Sequence, residues 1–120
     1  MKLQTVFAIA AIFVMSHAAA QQAKPKPDWI TTTNQPCKLW NPEPQPDESV
    51  TWSGDCKDGL ATGKGVLRWT ENGKPDVVFD GEYRNGKRNG HGVLITPDGD
   101  HVEGVWVDDK LLAGDDNGPV

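Results

Sequence analysis

Between residues 50 and 113 the chain alternates apolar and polar side chains with a period of two, in short runs separated by glycine-bearing turns. The runs cover residues 50–57, 65–69, 77–84, 92–96 and 101–107. The turns are Asp58-Gly59, Glu71-Asn72-Gly73, Asn85-Gly86 and Pro97-Asp98-Gly99. Such alternation turns one side of a strand to a core and the other to water. Asn-Gly and Asp-Gly take the positive φ that two-residue hairpin turns require. No window repeats at the helical period. The stretch predicts an all-β domain at residues 50–113, a single-layer antiparallel meander of stacked hairpins. A small, polar, flexible tail is expected at 114–120.

The pattern changes on the N-terminal side. Met1-Lys2 is followed by an almost wholly apolar run at 5–15 and by the small residues Ser16-His17-Ala18-Ala19-Ala20. This is the layout of a signal peptide, residues 1–20, cut after Ala20, and it predicts a secreted or periplasmic protein. The apolar run is about half of the roughly 20 residues a membrane-crossing helix needs, so no integral span is expected after cleavage. Residues 21–49 hold Pro25, Pro27, Pro36, Pro42, Pro44 and Pro46. Proline fixes φ and lacks an amide hydrogen, which excludes a helix or a central strand and predicts an extended arm. Leu39 and Trp40 are too apolar to float in water, so packing is expected from about Cys37. Cys37 and Cys56 are the two cysteines. An even count in an exported chain predicts one disulfide, closing a loop worth about 3 kcal/mol in the chain-entropy account.

The glycines separate two readings of GEYRNGKRNGHGVLITPDG, residues 81–99. A phosphate-binding loop occurs once, between a strand and a helix, with its lysine followed by Ser or Thr. Here Lys87 is followed by Arg88, and the pattern recurs. Gly54, Gly59, Gly63 and Gly65 return 27 residues later as Gly81, Gly86, Gly90 and Gly92. Gly99 closes the Pro-Asp-Gly turn. A truncated third copy starts 23 residues on, with Gly104 for Gly81, Trp106 for Tyr83 and Lys110 for Lys87. Repeats of this length are stacked supersecondary units, because one hairpin buries too little surface to stand alone.

The unit FDGEYRNGKRNGHGVLITPDGD, residues 79–100, resembles the MORN repeat in its order of aromatics and glycines and its closing Pro-Asp-Gly. Residues 52–73 match as well, and 101–113 match in half, making about two and a half repeats. The resemblance implies hairpins stacked into an elongated, twisted sheet. It implies no reaction and no cofactor. It implies a role in protein–protein contact or assembly and, for some members, contact with phosphoinositide lipids. Cys56 departs from the pattern, standing where the other copies have Tyr83 and Trp106. A disulfide to Cys37 there would fix the arm over the first repeat and cap the stack.

Charge narrows the partners. With 12 basic and 17 acidic residues the net charge is −5, which disfavours nucleic acid and anionic membrane surfaces. His91 and His101 lie near Asp98 and Asp100, but no third ligand with suitable spacing accompanies them, so no metal site is expected. Ser49 and Ser53 sit in no nucleophile elbow. Glu82 and Glu103 occupy matching repeat positions and read as strand-surface residues. No catalytic residue is assigned, and a small hydrolase is the least favoured reading. Arg84, Lys87 and Arg88 are the candidate anion contact, against the alternative of a solvated turn. Trp52, Phe79, Tyr83 and Trp106 supply packing surface, and Trp69, Tyr83 and Trp106 form the candidate binding face. The expected function is a non-catalytic module with a protein partner. Carbohydrate or cell-wall binding through exposed Trp and Tyr is the alternative. A line of exposed rings in a groove would suit a sugar, and a flat apolar patch would suit a protein.

Overall fold

The computed structural model describes residues 25–119, with side chains to residue 112. The expected signal peptide lies outside the described residues. The described chain contains no helix. Its strands are β1 (Asp28–Thr31), β2 (Lys38–Asn41), β3 (Glu48–Trp52), β4 (Asp55–Lys57), β5 (Leu60–Glu71), β6 (Lys74–Arg84), β7 (Lys87–Ile95), β8 (Asp100–Val107) and β9 (Lys110–Pro119). β5 to β9 form the antiparallel meander, each hairpinned to the next. β3 and β4 pair with opposite ends of β5, so the run at 50–57 is one line broken at Ser53-Gly54. Ser53 bridges the break: Val66 N donates to its Oγ at 2.8 Å, and Ser53 N donates to Val66 O at 3.1 Å. Beyond Ala113, β9 continues to Pro119 and pairs back to Asp100, where a flexible tail was expected.

The predicted turns take the backbone their residues favour. Asp58, Asn72 and Asn85 have φ near 53° and are followed by Gly59, Gly73 and Gly86 near 79°, the double positive φ of a type I′ hairpin. The fourth such turn, Asp108-Asp109, manages without glycine, at φ 47° and 73°. An irregularity in pairing recurs where each copy's second strand begins. Tyr83 pairs with Arg88 while Gly81 pairs with Gly92, and Trp106 pairs with Leu111 while Val105 pairs with Ala113. Extra residues on one strand of a pair bend and twist it, and the sheet is curled.

Two rows of residues cross the inner face of that curl. One runs Trp52, Leu67, Phe79, Leu94, Val102 from strand to strand. The next runs Gly65, Gly81, Gly92, Gly104, Gly114. The rings of the first row lie down over the second. A Cβ on Gly92 would overlap Phe79 Cζ, and one on Gly65 would sit 2.7 Å from Trp52 Cη2. The glycine row is therefore a lane that aromatic rings fill. Tyr83 and Trp106 close the core: ring centroids are 4.9 Å apart for Trp52–Tyr83, 5.8 Å for Phe79–Tyr83 and 5.0 Å for Phe79–Trp106. Tilted and edge-on aromatic contacts of this kind add to the stabilisation from area burial.

The arm is more ordered than an extended tail. β1 and β2 form a hairpin with Trp29 opposite Trp40, and the prolines lie outside both strands. β2 then runs across the row of hairpin turns. Lys38 N donates to Gly59 O at 2.8 Å, and Trp40 N donates to Gly86 O at 2.7 Å. The next residue in step is Pro42, which has no hydrogen to donate. At the third turn Arg88 Nη2 serves instead, donating to Asp109 O at 3.0 Å. Cys37 is bonded to Cys56, with Cα atoms 5.8 Å apart, and Cys37 and Leu39 are fully buried. The loop between β1 and β2 caps edge strand β3. Asn34 Nδ2 donates to Trp52 O at 2.8 Å, and Asn34 Oδ1 accepts from Trp52 N at 3.2 Å. Unpaired edge groups that would otherwise template another chain are thereby satisfied.

Candidate functional site

Past Trp40 the arm lifts away from the sheet. Between its stretch 40–45 and the inner face lies a cleft of about 310 Å³. Leu67, Phe79, Leu94 and Tyr83 make the floor, and Trp40 and Trp69 stand at its sides. The rim brings Glu43 and Glu48 from the arm and its following strand, and Asp76 from β6. Local chemistry explains each placement. Pro42, Pro44 and Pro46 deny the arm further backbone pairing. Glu48 Oε1 accepts hydrogen bonds from Asn41 Nδ2 and from Gln45 N (3.0 Å for the latter) and so shapes the loop. Trp69 lies where β5 and β6 fall out of register, between Arg68 and Thr70, and stays partly buried against the core.

The candidate binding face is corrected by this geometry. Of Trp69, Tyr83 and Trp106, only Trp69 offers surface to a partner. Tyr83 is 4% exposed and Trp106 3%, because the curl closes the inner face over both rings. Tyr83 reaches the cleft floor, yet its hydroxyl makes no hydrogen bond to any described residue. Burial pushes its pKa well above the ordinary 10.0. Nearby Arg88 pulls it down and Asp109 pushes it up by smaller amounts. The hydroxyl is thus a protonated donor at any physiological pH.

Of the three cations proposed as an anion contact, Arg84 and Lys87 are opposite each other across the β6–β7 turn, and Arg88 is engaged elsewhere. Arg88 Nε donates to Asp109 Oδ1 at 2.8 Å, the two side chains being 17% and 5% exposed. Its guanidinium also lies 5.6 Å from the Phe79 centroid and 5.9 Å from that of Trp106. It is held in place by the fold. Lys87 rests its ammonium 5.3 Å from the Trp40 centroid. Arg84 is left exposed on its strand end. Arg88 is therefore not available to join Arg84 and Lys87 at an anion. The hairpin register also keeps the histidines apart: His91 is opposite Val105 and His101 opposite Ile95, with the Val93–Glu103 pair between. Among the described residues no group of three or more His, Cys, Asp or Glu is placed to hold a metal ion, and no helix is long and apolar enough to cross a membrane.

Sequence reasoning missed the cleft and its acids. Glu43, Glu48 and Asp76 are scattered among many acidic residues, and no local spacing marks them. The one available signal was Trp40 inside a proline-rich segment tethered by Cys37.

The family model for the MORN repeat matches residues 52–75 and 79–101. No curated protein and no solved structure matches the chain. Each matched unit opens on the ring that fills the glycine lane, Trp52 or Phe79, and runs through the hairpin turn and the returning strand. The MORN repeat is a non-catalytic type associated with protein interaction and membrane binding. With two units matched, and a third copy carrying the same pairing through β8 and β9, the chain carries MORN repeats and is consistent with a MORN-repeat protein.

Proposed function

We propose that this is a non-catalytic, exported interaction module that binds a protein partner in the cleft between arm and sheet. The observation that carries this is the arm's construction. It is tied down by the Cys37–Cys56 bond and two turn hydrogen bonds, yet it stands off the sheet just beyond them and leaves an apolar hollow. Preformed clefts with apolar walls and a few polar groups are the usual form of a binding site. The signal-like leader supports export, and a disulfide suits an oxidising compartment. A carbohydrate ligand is the second reading, favoured by Trp40 and Trp69 beside Gln45.

The test is an affinity capture from the source organism's envelope and medium, with a Trp69→Ala control. Tyr83 and Trp106 are unsuitable controls because their loss would empty the core. One protein enriched by the wild type and lost with Trp69→Ala is the expected result. Retention on the insoluble wall fraction, with no protein enriched, would replace this reading with the carbohydrate one.

A further inference from the structure

Resting on that reading, we propose that the cleft's occupant is a cationic segment. It is an extended stretch of the partner protein that lays a lysine or arginine side chain between Trp40 and Trp69, toward Glu43, Glu48 and Asp76. The charges come first. Four charged residues line the cleft: Glu43, Glu48, Asp76 and Arg88. Arg88 is already neutralised by Asp109, and none of the three carboxylates has a cation within ion-pair distance among the described residues. The cleft thus presents uncompensated negative charge over an apolar floor. Oε1 of Glu48 is spent on Asn41 and Gln45, which orients the group and leaves its other oxygen for a ligand.

The walls suit the same ligand. The face of a tryptophan ring attracts a cation, and the stems of lysine and arginine bury against apolar surface while the charged head stays wet. Trp40 already accepts one ammonium, that of Lys87, which does not line the cleft. The floor adds a hydrogen-bond donor. Tyr83 is 4% exposed, lines the cleft and donates to no acceptor among the described residues, of which only His101 has a wholly buried side-chain atom without a partner, its Nδ1. A backbone carbonyl of an extended chain lying in the cleft would accept the Tyr83 hydrogen bond. A neutral sugar would leave the carboxylate charge unanswered, and the buried Tyr83 offers it no ring face. A phosphate-bearing surface would be repelled by the rim.

The test is calorimetric titration of the purified protein with three probes: a blocked octapeptide alternating lysine and valine, its glutamate–valine counterpart, and a neutral oligosaccharide of similar length. Only the lysine peptide should bind. Its affinity should fall about tenfold in the Glu43→Gln/Asp76→Asn double variant and weaken as salt screens the rim. Glu43 is exposed and Asp76 partly buried, and an unchanged circular dichroism spectrum will establish that the variant is folded. Tyr83→Phe, which keeps the ring, should weaken binding without abolishing it. Absence of heat with the lysine peptide, equal binding of both peptides, binding of the oligosaccharide alone, or indifference to the double variant would each overturn the inference. The affinity capture separates the two claims. A partner held equally by wild type and double variant, but lost with Trp69→Ala, overturns the cationic occupant and leaves the interaction reading standing.

Discussion

At the scale of single residues, the glycines divide into two kinds that a sequence writes with the same letter. Gly63 and Gly90 have φ of +77° and +109°, a region that L side chains seldom enter and that asparagine tolerates best. Gly92 keeps an ordinary φ and is required because Phe79 occupies the space of its side chain. Asparagine distinguishes them. Gly63 has no atom within 4 Å of a Cβ, so Gly63→Asn should cost about 1 kcal/mol or less. Gly92→Asn must displace a core ring and should cost about 3 kcal/mol. Urea unfolding of the two variants measures the difference, and equal losses would contradict the ring-filled lane. The repeat offset of 27 residues made these positions legible, but not which constraint each obeys.

Tyr83 allows a second measurement at this scale because it is the chain's single tyrosine, so tyrosinate absorbance reports on it alone. Its native pKa is raised above the unfolded 10.0, first by burial. The associated stability is full below about pH 10, where both states keep the proton. It is lost as the pH rises from there through the native value, because the unfolded chain releases its proton first. The native protein should show no tyrosinate at pH 10, where the chain in denaturant is half ionised. A native titration overlapping the denatured one would place Tyr83 in water.

At the scale of elements, the arm is the part least visible beforehand. Its proline density argued against strands, and that argument holds at each proline. β1 and β2 fit into the gaps between them. One edge of β2 pairs with β1; the other meets a line of turn carbonyls, Gly59 and Gly86, which exists only once the repeats have stacked. The disulfide anchors this arrangement. The Cys37→Ser/Cys56→Ser variant, or the reduced protein, should lose about 3 kcal/mol. Exchange protection of the Lys38 and Trp40 amides should fall while the β6–β8 amides retain theirs. Undiminished protection at Trp40 would show that the turn hydrogen bonds hold the arm unaided.

At the scale of the whole molecule, the protein is a short stack whose repeats touch mainly their neighbours, an architecture in which each unit's pattern can be read separately. The sequence by itself determined the strands and turns of the repeats, the repeat itself and the tether. All of these depend on local rules: a period of two, the φ a turn demands, glycines at constant offset, and an even pair of cysteines. Only the tertiary structure decided which aromatics face a partner. Tyr83 and Trp106 share strand positions that a flat sheet would expose, and the curl turns them into core. Arg88 met Asp109 across 21 residues, and Glu43, Glu48 and Asp76 met at one cleft, through curvature and arm placement that no local spacing encodes. Curvature sums small bends over many strands, and a cleft exists only where the summed surface and a second segment fail to touch.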